Sequence, residues 1–147
     1  MVCIYCGNET KVTNSRRQKL DNSVWRRRKC KSCHSLLTTQ EKIDLEQALR
    51  IQKKDGSLEP FYRDKLYLSI YRAIDHLKNP KITASSLTNT VLRRVFKLKG
   101  NGIIDSNQLS TITAHTIKLY DAAAGVRYLS FKSPTQLPND VRRLLKQ

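Results

Sequence analysis

An α+β fold in two parts is predicted from three observations. All four cysteines fall within the first 33 residues, as two Cys-x-x-Cys turns. Residues 48–61 carry two extended stretches around Asp55-Gly56, a turn-forming pair. From residue 63 onward apolar side chains recur every three or four positions, the spacing of one helix face. The chain of 147 residues then divides into a small cysteine-bearing domain over residues 1–46 and a mainly helical domain opening on a β-hairpin over residues 47–132. A tail over residues 133–147 has room for one short helix after Pro138.

The first part is read as a zinc ribbon. Each Cys-x-x-Cys turn lets two sulfurs reach one ion, so Cys3, Cys6, Cys30 and Cys33 complete a tetrahedral shell with no open position for catalysis. A domain of about 40 residues cannot bury enough apolar surface to fold alone. Zinc therefore supplies much of its folding free energy, of order 10 kcal/mol. His34, beside four available thiolates, is expected at the surface. From Lys11 to Lys31 the chain carries nine basic residues against one acid, Asp21. Arg16 and Arg17, then Arg26, Arg27, Arg28 and Lys29, are expected on two arms of a hairpin, where they form the candidate nucleic-acid surface. Strand alternation sends Arg26 and Arg28 to one face, Arg27 and Lys29 to the other. Trp25 is expected over the small core.

In the second part, residues 48–53 are extended, Asp55-Gly56 makes a two-residue turn, and residues 58–61 return, with Pro60 suited to an edge strand. Leu66, Ile70, Ala73, Ile74 and Leu77 mark a helix over residues 63–77, stopped by Asn79-Pro80. Leu87, Val91, Val95 and Leu98 mark a second over residues 84–98. Asp105 or Ser106 caps a third, with Leu109, Ile112, Thr116 and Tyr120 inward, and Asp121 caps a fourth over residues 121–131. Tyr67, Tyr71 and Leu92 are candidate exposed apolar positions for self-association.

Lys plus Arg number 28 against 12 Asp plus Glu, a net charge of +16 that favours polyanionic partners, nucleic acid first. No apolar run approaches the ~20 residues that span a bilayer, and the first residues lack the pattern of a signal peptide, so a soluble, cytoplasmic protein without a membrane partner is expected. His34, His76 and His115 have no evident nucleophile partner and no carboxylate pair demands a catalytic role, so an enzyme is not expected. The Walker-type phosphate loop is missing, and Gly100-Asn101-Gly102 lacks the following Lys-Ser/Thr. Lys53 and Lys54 beside the turn, and Lys65 in the first turn of the next helix, are the candidates for gripping a triphosphate.

The order of parts carries a resemblance. Cys3 to Cys6, Asn14-Ser15-Arg16, the run Trp25 to Cys30, Cys33 and the run Leu37 to Glu41 resemble the NrdR family, bacterial repressors of ribonucleotide reductase genes. The stretch from Ile51 to Leu66 looks like the opening of an ATP-cone, a regulatory nucleotide-binding domain, and the run Asp121 to Tyr128 resembles the family's late helix. Asn14, Leu37, Gln40, Gly125 and Lys132 stand where the family commonly has Asp, Phe, Tyr, Tyr and Tyr. The resemblance implies a nucleotide-sensing repressor with one structural zinc per chain, ATP and dATP as regulatory ligands, a double-stranded DNA operator, nucleotide-dependent homo-oligomers and a place on the bacterial nucleoid. It sets Ile51 against base or ribose, Lys53, Lys54 and Lys65 on phosphates, and Glu59 on the hairpin or a nucleotide hydroxyl. The rival reading is a ribosome- or RNA-associated zinc-ribbon protein whose basic second domain is structural.

Overall fold

The computed structural model describes residues 1–19, 22–98 and 100–131. The chain forms two compact units that divide between Asp44 and Leu45. The tail, with its expected short helix, lies outside the described residues.

The first unit is a three-stranded antiparallel sheet in the order β1-β2-β3, with β1 Thr10–Gln18, β2 Ser23–Cys30 and β3 Leu36–Glu41. Two arms were expected and there are three. The stretch Leu36 to Thr39, with its β-branched pair, supplies the third by pairing Arg26 with Thr39 and Arg28 with Leu37. A bulge at Thr13 shifts the β1–β2 register, and the Thr13 hydroxyl donates to the Arg27 carbonyl at 3.2 Å. Among the described residues the buried side chains here are Cys3, Ser23 and Cys30. The interior of this unit is its cysteine cluster rather than an apolar core, and Trp25 is only half-buried.

The second unit begins with a helical turn, α1 Leu45–Ala48, where extended chain was expected from Ala48. Leu49 closes that turn by donating its amide to the Leu45 carbonyl at 3.0 Å, which delays the strand to β4 Arg50–Gln52. Strand β5 Leu58–Pro60 pairs antiparallel on one side of β4, and β6 Ile103–Asp105 pairs parallel on the other. Pro60 thus ends an edge strand, as its missing N–H requires. The connection is longer than a two-residue turn: Lys53 and Ser57 pair across it at 2.9 Å, and Gly56 takes the left-handed position with φ 85°.

Helices α2 Arg63–Ile74, α3 Pro80–Val95, α4 Ser106–Tyr120 and α5 Ala122–Ser130 complete the unit. Helix α2 ends three residues before Leu77. Asn79-Pro80 proves to be a start signal rather than only a stop, because Pro80 occupies the first turn of α3, where its lost N–H has no helical partner anyway. Helix α3 accordingly starts four residues early and ends at Val95, leaving Leu98 exposed instead of inward. Asp105 caps α4, accepting from the amides of Asn107 and Gln108 at 2.8 and 3.0 Å, and Asp121 caps α5, accepting from Ala124 at 2.7 Å.

Ile51, Phe61, Leu66, Ile70, Ile74, Leu87, Val91, Val95, Ile104, Ile117 and Ala124 share one core. Leu92 belongs to it, and Tyr67 and Tyr71 stack on each other at its edge, so these three are not an exposed docking set. The fully buried residues of α4 are Ser110, Thr113, Ala114, Thr116 and Ile117. Of the expected stripe, Leu109 and Ile112 pack half-buried against the core and Thr116 is buried, while Tyr120 is exposed. Small hydroxyl residues predominate among the buried ones, and three of the α4 threonines satisfy their hydroxyls on the carbonyl four residues back. Among the described residues no helix is long and apolar enough to cross a membrane.

Candidate functional site

In the first unit the four cysteine sulfurs all lie within 4.8 Å of one another. Cys3–Cys33 is 3.6 Å, while Cys6–Cys30 and Cys6–Cys33 are each 3.5 Å. A zinc ion about 2.3 Å from each sulfur in a tetrahedron requires sulfur–sulfur edges of about 3.8 Å. The thiols therefore fit zinc with a slight relaxation. Two matched knuckles place them: in one the Cys3 amide donates to the Asn8 carbonyl at 2.8 Å, in the other the Cys30 amide donates to the Ser35 carbonyl at 2.9 Å. Each bends back just after its second cysteine, at Gly7 with φ 72° and at His34 with φ 56°. His34 is exposed, as expected.

Ser35, not singled out from the sequence, sits 3.3 Å from the Cys3 sulfur and 2.9 Å from that of Cys33. Its hydroxyl favours the thiolate of both, and with the local backbone amides it brings the Cys3 thiol down to about 6. The thiolate is the form a zinc site uses. The Asn8 side chain donates to Cys6 at 3.6 Å.

The register sorts the basic residues by face, since side chains directly opposite share one. Arg17, Arg26 and Arg28 fall on one side, with Val12, Leu37, Thr39 and Glu41. Arg26 there grips Glu41 at 2.7 and 3.1 Å, and Arg28 donates to Thr39 at 3.1 Å. Lys11, Arg16, Arg27 and Lys29 share the other side with Trp25, Asn14 and Thr38. Arg27 is exposed on that side, and no acid stands directly opposite these four cations in the β1–β2–β3 ladder. The expected alternation is present, and it splits the six candidate residues between two unlike faces.

In the second unit β4, β5, α2, α4 and α5 wall two adjoining cavities. One, of about 250 Å³, is lined by Ile51, Phe61, Tyr62, Lys65, Leu66, Leu109 and Tyr128, among others. The other, of about 550 Å³, is lined by the polar and charged residues Lys53, Lys54, Asp55, Ser57, Glu59, Ser106, Asn107 and Ser110. Lys53, Glu59, Ser106 and Ser110 belong to both. Glu59 is the electrostatic hinge. Its carboxylate takes Lys53 at 3.1 Å and Lys65 at 3.7 Å, and these lysines hold it below the usual carboxylate range. All five sequence candidates thus reach one continuous depression: Ile51 and Lys65 on the half-apolar cavity, Lys54 on the polar one, Lys53 and Glu59 on both.

Sequence reasoning missed the far wall. Ser106, Asn107 and Ser110 come from the first turns of α4, brought beside the hairpin because β6 pairs with β4 and runs directly into that helix. The sequence offers there only Ile103-Ile104-Asp105, two β-branched residues and a cap after a Gly-rich turn, too short a pattern to read as a strand.

Comparison with known proteins matches both parts. Residues 1–41 match the family described as transcriptional repressor NrdR-like, N-terminal domain, and residues 49–133 match the ATP cone domain. A transcriptional repressor NrdR from Lachnoclostridium phytofermentans is 31% identical over 150 residues, covering 99% of this chain and 97% of that protein. The transcriptional repressor NrdR of Dictyoglomus thermophilum is 31% identical over 150 residues, covering 100% and 97%, and that of Symbiobacterium thermophilum is 29% identical, covering 99% of each. Repression of transcription is a non-enzymatic role.

Proposed function

The chain belongs to the NrdR family of transcriptional repressors, and from that premise we propose that it senses adenine nucleotides and represses ribonucleotide reductase genes accordingly. The zinc ribbon meets operator DNA through the Lys11, Arg16, Arg27 and Lys29 face. The ATP-cone takes ATP or dATP, with Lys53, Lys54 and Lys65 on phosphates, Ile51 toward base or ribose and Glu59 toward a hydroxyl. Protomers assemble as homo-oligomers whose form depends on the nucleotide, in the bacterial cytoplasm and on its nucleoid.

The observation that carries the nucleotide reading is the meeting of Lys53 and Lys65 at one carboxylate on the wall of both cavities. Two cations held together by a displaceable anion form a ready phosphate clamp, and a triphosphate offers more charge than the carboxylate it replaces. Linkage then sets the logic. A deoxynucleotide strengthens repression only if it favours the DNA-competent assembly more than ATP does. Several ribbons on one assembly convert weak single contacts into tight binding.

The test is fluorescence anisotropy of zinc-loaded protein on DNA from upstream of the host's ribonucleotide reductase genes, at fixed near-physiological salt. Scrambled DNA and RNA serve as controls, with no nucleotide, ATP, or ATP plus dATP. Nucleotide-dependent binding that exceeds the scrambled control is expected. Equal affinity for every polymer under every nucleotide would overturn the reading in favour of a structural RNA-binding protein.

A further inference from the structure

We propose that Ser110, on the inner wall of the two cavities, reads the ribose 2′-hydroxyl and so distinguishes ATP from dATP. The inference rests on the nucleotide-binding reading above and adds to it the residue that tells the sugars apart.

Ser110 is 8% exposed, and its hydroxyl is the one buried side-chain polar atom without a hydrogen-bond partner among the described residues. Hydroxyls inside a helix ordinarily turn back to the carbonyl four residues earlier. On α4 itself Thr111, Thr113 and Thr116 do so, at 2.9, 2.7 and 2.7 Å. Ser110 does not, although the same helix offers it the Ser106 carbonyl. A buried hydroxyl left without a partner is costly, and such a group at the wall of a cavity is one that a ligand can satisfy.

Its position selects the part of the ligand. The half-apolar cavity has the Ile51, Phe61, Leu66 and Leu109 lining that suits a purine. The polar cavity has Lys53 and Lys54, which suit phosphates, with Lys65 meeting Lys53 at Glu59 on the boundary between the two. A nucleotide laid across both places its sugar at the residues they share, which are Lys53, Glu59, Ser106 and Ser110. Ser106, Ser110 and Glu59 are the groups there able to accept from a sugar hydroxyl. Glu59 is engaged by lysines, and of the two serines Ser110 is the one buried without a partner. A site built around such a bond discriminates against the ligand that lacks the hydroxyl.

The experiment is calorimetric titration of the full-length, zinc-loaded protein and its Ser110→Ala variant with ATP and with dATP separately. One neutral hydrogen bond corresponds to about fivefold in affinity. The variant is expected to lose about fivefold for ATP and less than twofold for dATP, collapsing the preference between them. Its melting temperature without ligand is expected to hold or rise, since alanine suits a helix and removes an unsatisfied hydroxyl. Equal losses for both nucleotides, or no loss for either, would overturn the assignment while leaving nucleotide binding intact. Failure of the parent protein to bind either nucleotide would instead remove the reading on which it rests. A melting temperature that falls by several degrees would mark Ser110 as structural, and Ser110→Cys, which keeps the volume and weakens the bond, would then have to show the same ATP-selective loss.

Discussion

The sharpest consequence of the ribbon's register concerns which arginines touch DNA. Arg26 already holds Glu41 through two contacts of 2.7 and 3.1 Å, so a phosphate must compete with a carboxylate for it. Arg27 stands exposed on the opposite face, beside Lys29 in the strand and opposite Asn14 and Thr38. Replacing Arg27 and Lys29 by alanine should therefore remove two phosphate contacts. Replacing Arg26 and Glu41 together by alanine leaves the net charge unchanged and should remove none. Each lost contact lowers the slope of log affinity against log salt by about 0.9, so the first variant's slope should be shallower by ~1.8. Between 50 and 200 mM salt the parent protein should then lose about tenfold more affinity than this variant does. The assay is a salt titration of operator binding by anisotropy, with zinc content measured on each sample because Lys29 adjoins a metal ligand. A slope reduced by the Arg26/Glu41 change but not by the Arg27/Lys29 change would refute the assignment of faces.

Two further outcomes follow from the packing. Cys30→Ser, or removal of zinc by a chelator, should unfold the ribbon outright, because among the described residues its buried side chains are Cys3, Cys30 and Ser23, while the helical circular dichroism of the second unit should persist. Gly125→Ala should destabilise the cone by about 1–3 kcal/mol in thermal melts, since an added Cβ would stand 2.8 Å from the Lys118 Cβ and 2.9 Å from its Cα, where α5 crosses α4.

How far the sequence could be read depended on whether the deciding forces were local. Cysteine spacing sufficed for the metal centre because four thiolates at two short spacings have few other arrangements. The caps at Asp105 and Asp121 were legible because a carboxylate meeting the next amides is a contact within one turn. Strands β3 and β6 were not, since each exists only by pairing with chain far away in sequence, and three residues such as Ile103–Asp105 carry too short a pattern. The α4 stripe was only partly legible for a related reason. Leu109, Ile112 and Thr116 do face the core, but its deepest part meets Ser110, Thr113, Ala114 and Ile117 as well, and Tyr120 turns out to solvent. The cations were legible as a set and not as a surface, because the pairing of Arg26 with Glu41 depends on the third strand.

Glu59 ties the phosphate and sugar ends of the proposed site into one balance. While it holds Lys53 and Lys65 it satisfies both lysines and itself, and it stays ionised because they keep it below the usual carboxylate range. A triphosphate that takes the lysines leaves an ionised carboxylate beside added negative charge, which opposes binding unless the carboxylate finds new donors. Sugar hydroxyls are the donors a nucleotide brings to that wall. ATP brings one more than dATP, so the two ligands leave Glu59 and Ser110 in different states of satisfaction while making the same phosphate contacts. A sensor needs that difference, because a ligand shifts an equilibrium only by its unequal interaction with the two states. The common triphosphate can supply affinity, but the signal has to come from the one hydroxyl by which the ligands differ.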